Sequence, residues 1–265
     1  MFINFKGFKT YINTGGKKVD KNKTTLCFIH GSGQNHLSFV QQSRYFANKG
    51  YSVIIPDLPG HGFSEGKPCI SIEESAEWIS DLFKELNLND IVYLGHSQGC
   101  LTGLELNNNH PKLLKGIIFI AGSNIIPVNQ FLIDLASKDF KKAYKMMVTW
   151  GHGKDGAMFT NNMPGHAHFG EGFNIMNMNN DKTLKIDLEA CNKYGAGIEA
   201  AKRIDIPTLA VLAKFDQMTP LKSGQKFVDL LDNCDLKILD CGHFLQAERP
   251  KELNIFISSY LRKLN

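Results

Sequence analysis

The sequence predicts an α/β fold, a mostly parallel sheet with helices on both faces and a helical insertion between its two halves. Three observations predict it. Short apolar runs alternate with segments whose apolar residues keep helical spacing. Several of those runs end in glycine-rich turns, and the alternation stops between about residues 124 and 203 before it resumes. At 265 residues, with 43% apolar and 21% charged content, the chain has the composition of a globular protein and can bury a large core.

Taken in order, residues 2–13 alternate weakly and read as part of an antiparallel pair turning at Gly15-Gly16. Thr25–Ile29 is a continuous apolar run, as expected of a strand covered on both faces, and it ends in His30-Gly31-Ser32-Gly33-Gln34-Asn35. A helix from about Leu37 closes at Gly50, placed as a C-terminal cap. The strand Tyr51–Ile55 empties into Pro56-Asp57-Leu58-Pro59-Gly60-His61-Gly62-Phe63-Ser64. Ser71 and Glu74 make a capping box that opens a helix carrying Ile72, Ala76, Ile79, Phe83 and Leu86. The strand beginning at Ile91 runs straight into Gly95-His96-Ser97-Gln98-Gly99 and a helix, and Gly116–Gly122 is the next strand.

Across 124–203 no strand is expected, only helices at about 129–149 and 183–203 separated by a Gly/Asn/Met/His-rich segment. Pro207–Ala213, a helix near 221–231, Leu236–Leu239 and a helix from Pro250 complete the pattern. The chain therefore reads as one domain over 1–265, with 124–203 inserted as a helical cap.

Gly95-x-Ser97-x-Gly99 between strand and helix is a nucleophile-elbow signature, a sharp turn that holds the serine hydroxyl clear of the backbone. A serine hydroxyl is a weak nucleophile near neutral pH and needs a base, itself oriented by a third group. In this arrangement an acid and then a histidine follow the serine in chain order. Asp216, at the exit of Leu209–Ala213, and His243, at the exit of Leu236–Leu239, supply them. Asp240 competes as the carboxylate, but its nearness to His243 suits a loop or capping role better. An oxyanion hole needs two backbone N–H donors. Gln98 follows the nucleophile, and Ser32, in the loop opened by Gly31, is the second candidate.

Together His30-Gly31-Ser32-Gly33, Pro56-Asp57-x-Pro59-Gly60-His61-Gly62-x-Ser64, Gly95-His96-Ser97-Gln98-Gly99, Asp216 and Gly242-His243 resemble the α/β-hydrolase superfamily. They are most similar to its capped esterase, C–C-bond hydrolase and haloperoxidase-like branch. The resemblance implies a sheet of mostly eight strands, a helical cap and cofactor-independent Ser-His-Asp hydrolysis. Epoxide-hydrolase and haloalkane-dehalogenase relatives carry an aspartate at the elbow, and Ser97 argues against both chemistries. The superfamily also holds lyases, perhydrolases and hormone receptors, so fold alone does not fix the reaction.

The reading is thus an enzyme that cleaves a small carboxylic ester through an acyl-enzyme. Thioester or C–C hydrolysis, or a receptor that keeps the triad, are the alternatives. A neutral histidine base implies activity falling on the acid side, through roughly pH 6–7. Asp57, His61 and His96 read as structural. His166-x-His168 has no matching carboxylate or cysteine set, and no metal is expected. Met147, Trp150 and Met163, with Gly31, are the candidate substrate-binding residues, since methionine repacks easily around an acyl or aromatic group. Asp187, Glu189 and Asn192 offer polar groups from the insertion.

The other classes fit less well. A net charge of +4 is mild, and the N-terminal lysines read as a solvated face, so no nucleic-acid partner is expected. No run approaches the roughly 20 apolar residues of a spanning helix, so no membrane insertion is expected. The six cysteines have no C-x-x-C spacing, and free thiols in a cytoplasmic monomer or homodimer are the expectation.

Overall fold

A computed structural model describes residues 1–153 and 167–264. The first half contains β1 (Phe2–Phe5), β2 (Phe8–Asn13), β3 (Thr25–Ile29), α1 (Val40–Asn48), β4 (Ser52–Pro56), α2 (Ile72–Glu85), β5 (Ile91–His96), α3 (Gln98–Asn109) and β6 (Gly116–Ile120). Helices α4 (Gln130–Lys138), α5 (Phe140–Gly151), α6 (His168–Asn177), α7 (Thr183–Lys193) and α8 (Gly197–Lys202) follow. The chain then completes the sheet with β7 (Thr208–Ala213), α9 (Leu221–Val228), β8 (Cys234–Leu239), α10 (Leu245–Glu248) and α11 (Pro250–Leu264).

The eight strands lie in the order β1-β2-β4-β3-β5-β6-β7-β8. β1 and β2 are antiparallel, and β3 through β8 run parallel. Period-two alternation divides the parallel strands between two cores. Ile91 and Tyr93 of β5, with Ile117 and Phe119 of β6, face the core that contains α2 and α3 residues such as Phe83 and Leu104. Val92, Leu94, Ile118 and Ile120 face the opposite core, with Phe46 of α1 and Leu253 and Ile257 of α11. Because every central strand is covered twice, its residues are apolar throughout. The chain leaves β3 toward β4 on one side and β5 toward β6 on the other, so the loops after β3 and β5 diverge. That divergence opens a crevice at the C-terminal edge of the sheet, where ligands bind in open α/β sheets.

Four local expectations are corrected. The N-terminal hairpin turns at Lys6-Gly7, which have φ 51° and 83°, not at Gly15-Gly16. Two consecutive positive φ values give the tight turn that matches strand twist. The expected helix 129–149 is two helices, because Asp139 caps α5 by accepting the Lys142 N–H. The expected helix 183–203 is also two, α7 ending at Lys193 and α8 beginning at Gly197. Within the segment read as irregular, α6 forms despite Gly170 and Gly172 and buries Ile175 and Met176. The insertion helices α4–α7 hold a third apolar core of their own, including Leu132, Tyr144, Met147, Met176, Leu184 and Leu188. No described helix is long and apolar enough to cross a membrane.

Candidate active site

Ser97 sits between β5 and α3 with φ 53° and ψ −117°, a conformation an L-residue adopts only under constraint. Such backbone costs on the order of 1–3 kcal/mol and persists where surroundings over-determine it. Here the Ser97 N–H donates to Ile120 O at 3.0 Å and the Ser97 carbonyl accepts the Cys100 N–H at 2.8 Å. The flanking glycines are required by contact. A Cβ on Gly95 would strike the Gly99 carbonyl, and one on Gly99 would strike the Ile29 carbonyl of β3. The elbow is therefore pressed against its neighbouring strand, and Ser97 is thrust to the sheet edge.

The loops after β7 and β8 meet there. His243 Nδ1 donates to Asp216 Oδ2 at 2.8 Å, and both side chains are 1% exposed. Asp216 Oδ1 accepts the N–H groups of Met218 and Thr219, each at 2.8 Å. Thr219 Oγ1 lies 2.8 Å from Asp216 Oδ2 and 2.8 Å from the Ala121 carbonyl. Burial alone would push the Asp216 carboxyl up. The His243 ring and the hydrogen bonds from His243 and Thr219 outweigh burial and hold it below its ordinary value. An ionised Asp216 accepts only, so the His243 Nδ1 is the donor in this pair. Asp240 is exposed and pairs with Lys214 at 3.1 Å, well away from this role.

His96, inside the elbow, ties two loops together. Its Nε2 donates to the His243 carbonyl at 2.9 Å, and its Nδ1 faces the Gln34 side-chain amide at 3.0 Å. Burial, then the proximity of His243, pushes His96 down to about 3, so it is neutral at physiological pH. On the other side of His243 its backbone N–H donates to the Gly151 carbonyl at the end of α5. Glu248 accepts the Gly242 and Gly153 N–H groups at 3.1 and 3.0 Å and bridges the same two segments.

Ser97, His243, His96, Gly31 and Ser32 line one cavity of about 190 Å³. No hydrogen bond occupies the backbone N–H of Ser32 or of Gln98 among the described residues. The turn that presents Ser32 is closed by Gln34 N–H donating to the Gly31 carbonyl at 3.1 Å. The facing wall comes from the helices between β6 and β7. Met147 and Trp150 of α5 lie on the cavity wall, together with Met176 of α6, Leu132 of α4 and Leu188 of α7. Met163 falls outside the described residues, as does His166. Phe244, Met218 and Gln217 complete the wall from the loops that carry His243 and Asp216. The sequence signal for these three was their nearness to His243 and Asp216, which the motif reading passed over. No Lys, Arg, Asp or Glu lines the cavity among the described residues.

Asp57 and His61 sit outside this cavity wall. Asp57 accepts the His36 backbone N–H at 2.7 Å, the His36 ring and the Phe63 N–H at 2.9 Å, and so braces its loop. His61 reaches Asp187 of α7. Asn192 accepts the Val128 N–H at 3.0 Å, and Glu189 pairs with Lys185 on its own helix. No group of three or more His, Cys, Asp or Glu side chains suited to a metal occurs among the described residues.

The fold that carries these loops is matched by known proteins. A structure of an enol-lactonase from Burkholderia xenovorans superposes with a TM-score of 0.88 at 17% identity, covering 99% of this chain and all of that one. An esterase from Exiguobacterium antarcticum superposes at 0.86 with 18% identity, covering 98% of both chains. In sequence, the chain is 24% identical to the Mycoplasma genitalium "Putative esterase/lipase 2" over 93% of its length and 92% of the relative's. It is 23% identical to a 2-hydroxy-6-oxo-6-(2'-aminophenyl)hexa-2,4-dienoic acid hydrolase of Metapseudomonas resinovorans, over 99% of this chain and 90% of that protein. The family model described as alpha/beta hydrolase fold matches residues 24–250, from the strand before the Ser32 loop to beyond His243. With the sheet order and the strand-exit loops agreeing with that match, the chain belongs to the alpha/beta hydrolase fold family.

Proposed function

We propose that the protein is a serine hydrolase that cleaves small, uncharged carboxylic esters through an acyl-enzyme. Ser97 Oγ attacks the ester carbonyl while His243 Nε2 takes its proton, and Asp216 holds the imidazole in the tautomer that leaves Nε2 basic. The Ser32 and Gln98 N–H groups receive the negative charge that develops on the carbonyl oxygen. His243 returns the proton to the departing alcohol, and a water activated by the same histidine releases the acid. The insertion 124–203 acts as a cap that shapes the acyl side of the cavity.

The observation that supports this reading is the convergence of Ser97, His243 and the Ser32 loop on a single cavity with an apolar roof. The uncharged lining supports a neutral acyl substrate over a carboxylate-bearing dienoate, which would enter without a cationic partner among the described residues. The test is labelling with a fluorophosphonate probe, followed by turnover of p-nitrophenyl acetate, butyrate and octanoate, by the wild type and Ser97→Ala. Wild-type labelling and turnover, both lost in Ser97→Ala, are expected. An unlabelled wild type would remove the serine-hydrolase reading, and labelling without ester turnover would favour a receptor. Faster cleavage of a 2-hydroxy-6-oxodienoate than of any aryl ester would replace ester by C–C chemistry.

A further inference from the structure

The loop that carries Ser32 is held from above by the insertion, through side chains that do not line the cavity. Asp187 of α7 is 3% exposed. A single one of its oxygens, Oδ2, accepts the Gly33 N–H at 2.7 Å and the His61 Nε2–H at 2.9 Å. His61 is equally buried, and its Nδ1 faces the Pro59 carbonyl at 3.0 Å. Both ring nitrogens thus face oxygen acceptors, which favours the protonated ring. Burial opposes that charge, and Asp187 outweighs burial and raises the His61 pKa. Asn179, between α6 and α7, repeats the attachment. Its Nδ2 donates to the Gly33 carbonyl and its Oδ1 accepts the Gly62 N–H at 2.8 Å.

Gly33 is the third residue of the turn closed by Gln34 N–H to Gly31 O, and its φ is +65°. Positive φ at that position is the mark of a type II turn, which differs from type I by a flip of the central peptide. The central peptide here joins Ser32 to Gly33, so the acceptor that captures the Gly33 N–H decides its orientation and with it the ψ of Ser32. A glycine can flip at little steric cost, so the orientation has to be imposed by a partner. Asp187 is that partner, and α7 is the element that brings it. We infer that Asp187 is a positioning residue, seconded by Asn179, which fixes the Ser32 loop in the conformation that leaves the Ser32 N–H free for the oxyanion and so makes transition-state stabilisation depend on the docked insertion.

The inference rests on the serine-hydrolase reading and deepens it. Its signature is selective, because the oxyanion forms only after attack, so a disordered donor lowers kcat and leaves KM in place. Removing an oxyanion donor outright costs on the order of 10²–10³ in rate, and loosening one costs a part of that. The experiment measures kcat and KM on p-nitrophenyl butyrate, and inhibition by an aryl trifluoromethyl ketone, for the full-length wild type, Asp187→Ala, Asp187→Asn and Asn179→Ala. Thermal unfolding confirms that each variant is folded at the assay temperature. Asp187→Ala is expected to lose at least about tenfold in kcat, with KM within about twofold, and to lose ketone affinity in parallel. Asp187→Asn, whose amide oxygen still accepts the Gly33 N–H, returns to within about threefold of wild type. Asn179→Ala loses several-fold in kcat, and this arm decides the matter if Asp187→Ala does not fold.

Three results overturn the inference alone while the hydrolase reading stands. They are a folded Asp187→Ala (or, in its absence, Asn179→Ala) with wild-type kcat, a loss carried by KM, and an Asp187→Asn no better than Asp187→Ala. A wild type that neither labels nor turns over any ester ends both.

Discussion

Acid should unfold this protein well before it exhausts its carboxylates, and three histidines set the steepness. His30 and His96 are buried in the loops around Ser97, and burial pushes them down to about 4 and about 3. His152, at the end of α5, is likewise pushed down to about 4 by burial. In the unfolded chain each returns to about 6.5 and takes up a proton that the folded state refuses. As pH falls below about 6.5 the unfolded state therefore binds up to three more protons than the native one, and stability falls by up to about 4 kcal/mol per pH unit. Between pH 7 and pH 5 the loss integrates to about 5 kcal/mol, a large part of the 5–15 kcal/mol typical of a domain. His61 shifts the opposite way: its folded ring holds its proton while the unfolded one titrates near 6.5, so it offsets a small part of this loss, less than about 1 kcal/mol between pH 7 and pH 5. Asp216, held low, adds its own loss only as pH falls below about 4.

The assay is urea unfolding at pH 7, 6 and 5, with the slope against denaturant held common. His152→Gln should remove one proton from the linkage and reduce the slope by about 1.4 kcal/mol per pH unit. A wild-type stability that changes by less than about 1 kcal/mol between pH 7 and pH 5 would refute neutral burial of these rings. The result also bears on activity, because acid unfolding and the acid-side fall of rate expected of the proposed mechanism would appear together in a rate profile. A rate profile taken without the stability curve would mix the two.

Two further outcomes follow from the elbow and from the roof of the cavity. Gly99→Ala places a methyl group against the Ile29 carbonyl and 3.1 Å from the His30 carbonyl, backbone atoms that cannot yield cheaply. It should cost at least about 2 kcal/mol in urea unfolding and abolish probe labelling, and a stable, labelled variant would show that the elbow tolerates a Cβ. Met147→Ala opens space where Met147, 2% exposed, closes the cavity over α5. The room for roughly one or two extra methylenes, each about 0.8 kcal/mol when buried, should raise the octanoate-to-butyrate ratio of kcat/KM by about fourfold or more. An unchanged ratio would place the acyl chain elsewhere.

How much of this was legible in the sequence depended on distance along the chain. Ser97, Gln98 and the glycines around them were readable because the elbow is local, and its sterics dictate its residues. Asp216 and His243 were readable because each follows a strand directly. The two buried strand ends bring them together without any signal that had to cross the chain. The bond from Asp187 to His61 spans 126 residues, and neither partner has a local pattern that betrays it. The N-terminal turn was missed because Lys6-Gly7 lacks the Asn-Gly or Asp-Gly signature of such turns. The break at Asp139 did carry a signal, an aspartate three residues before the N–H it caps, hidden inside an otherwise continuous helical period. Helix α6 is a case of tertiary packing overriding glycine content, since burial of Ile175 and Met176 outweighs the poor propensity of its neighbours. The methionines divided less sharply than functional and structural readings allow, for Met147 and Met176 belong at once to the insertion's own core and to the cavity wall.

The bond from the His243 N–H to the Gly151 carbonyl has a bearing on how such a protein can be changed. A roof that merely covered the site could be exchanged between relatives as a module, leaving the machinery below intact. Here the end of α5 supplies backbone support to His243, and Glu248 stitches Gly153 to Gly242 beside it. A grafted insertion would have to reproduce those backbone positions before its new side chains could matter. New specificity is therefore more accessible by single substitutions on the inner faces of α4, α5 and α7 than by transplanting the whole segment.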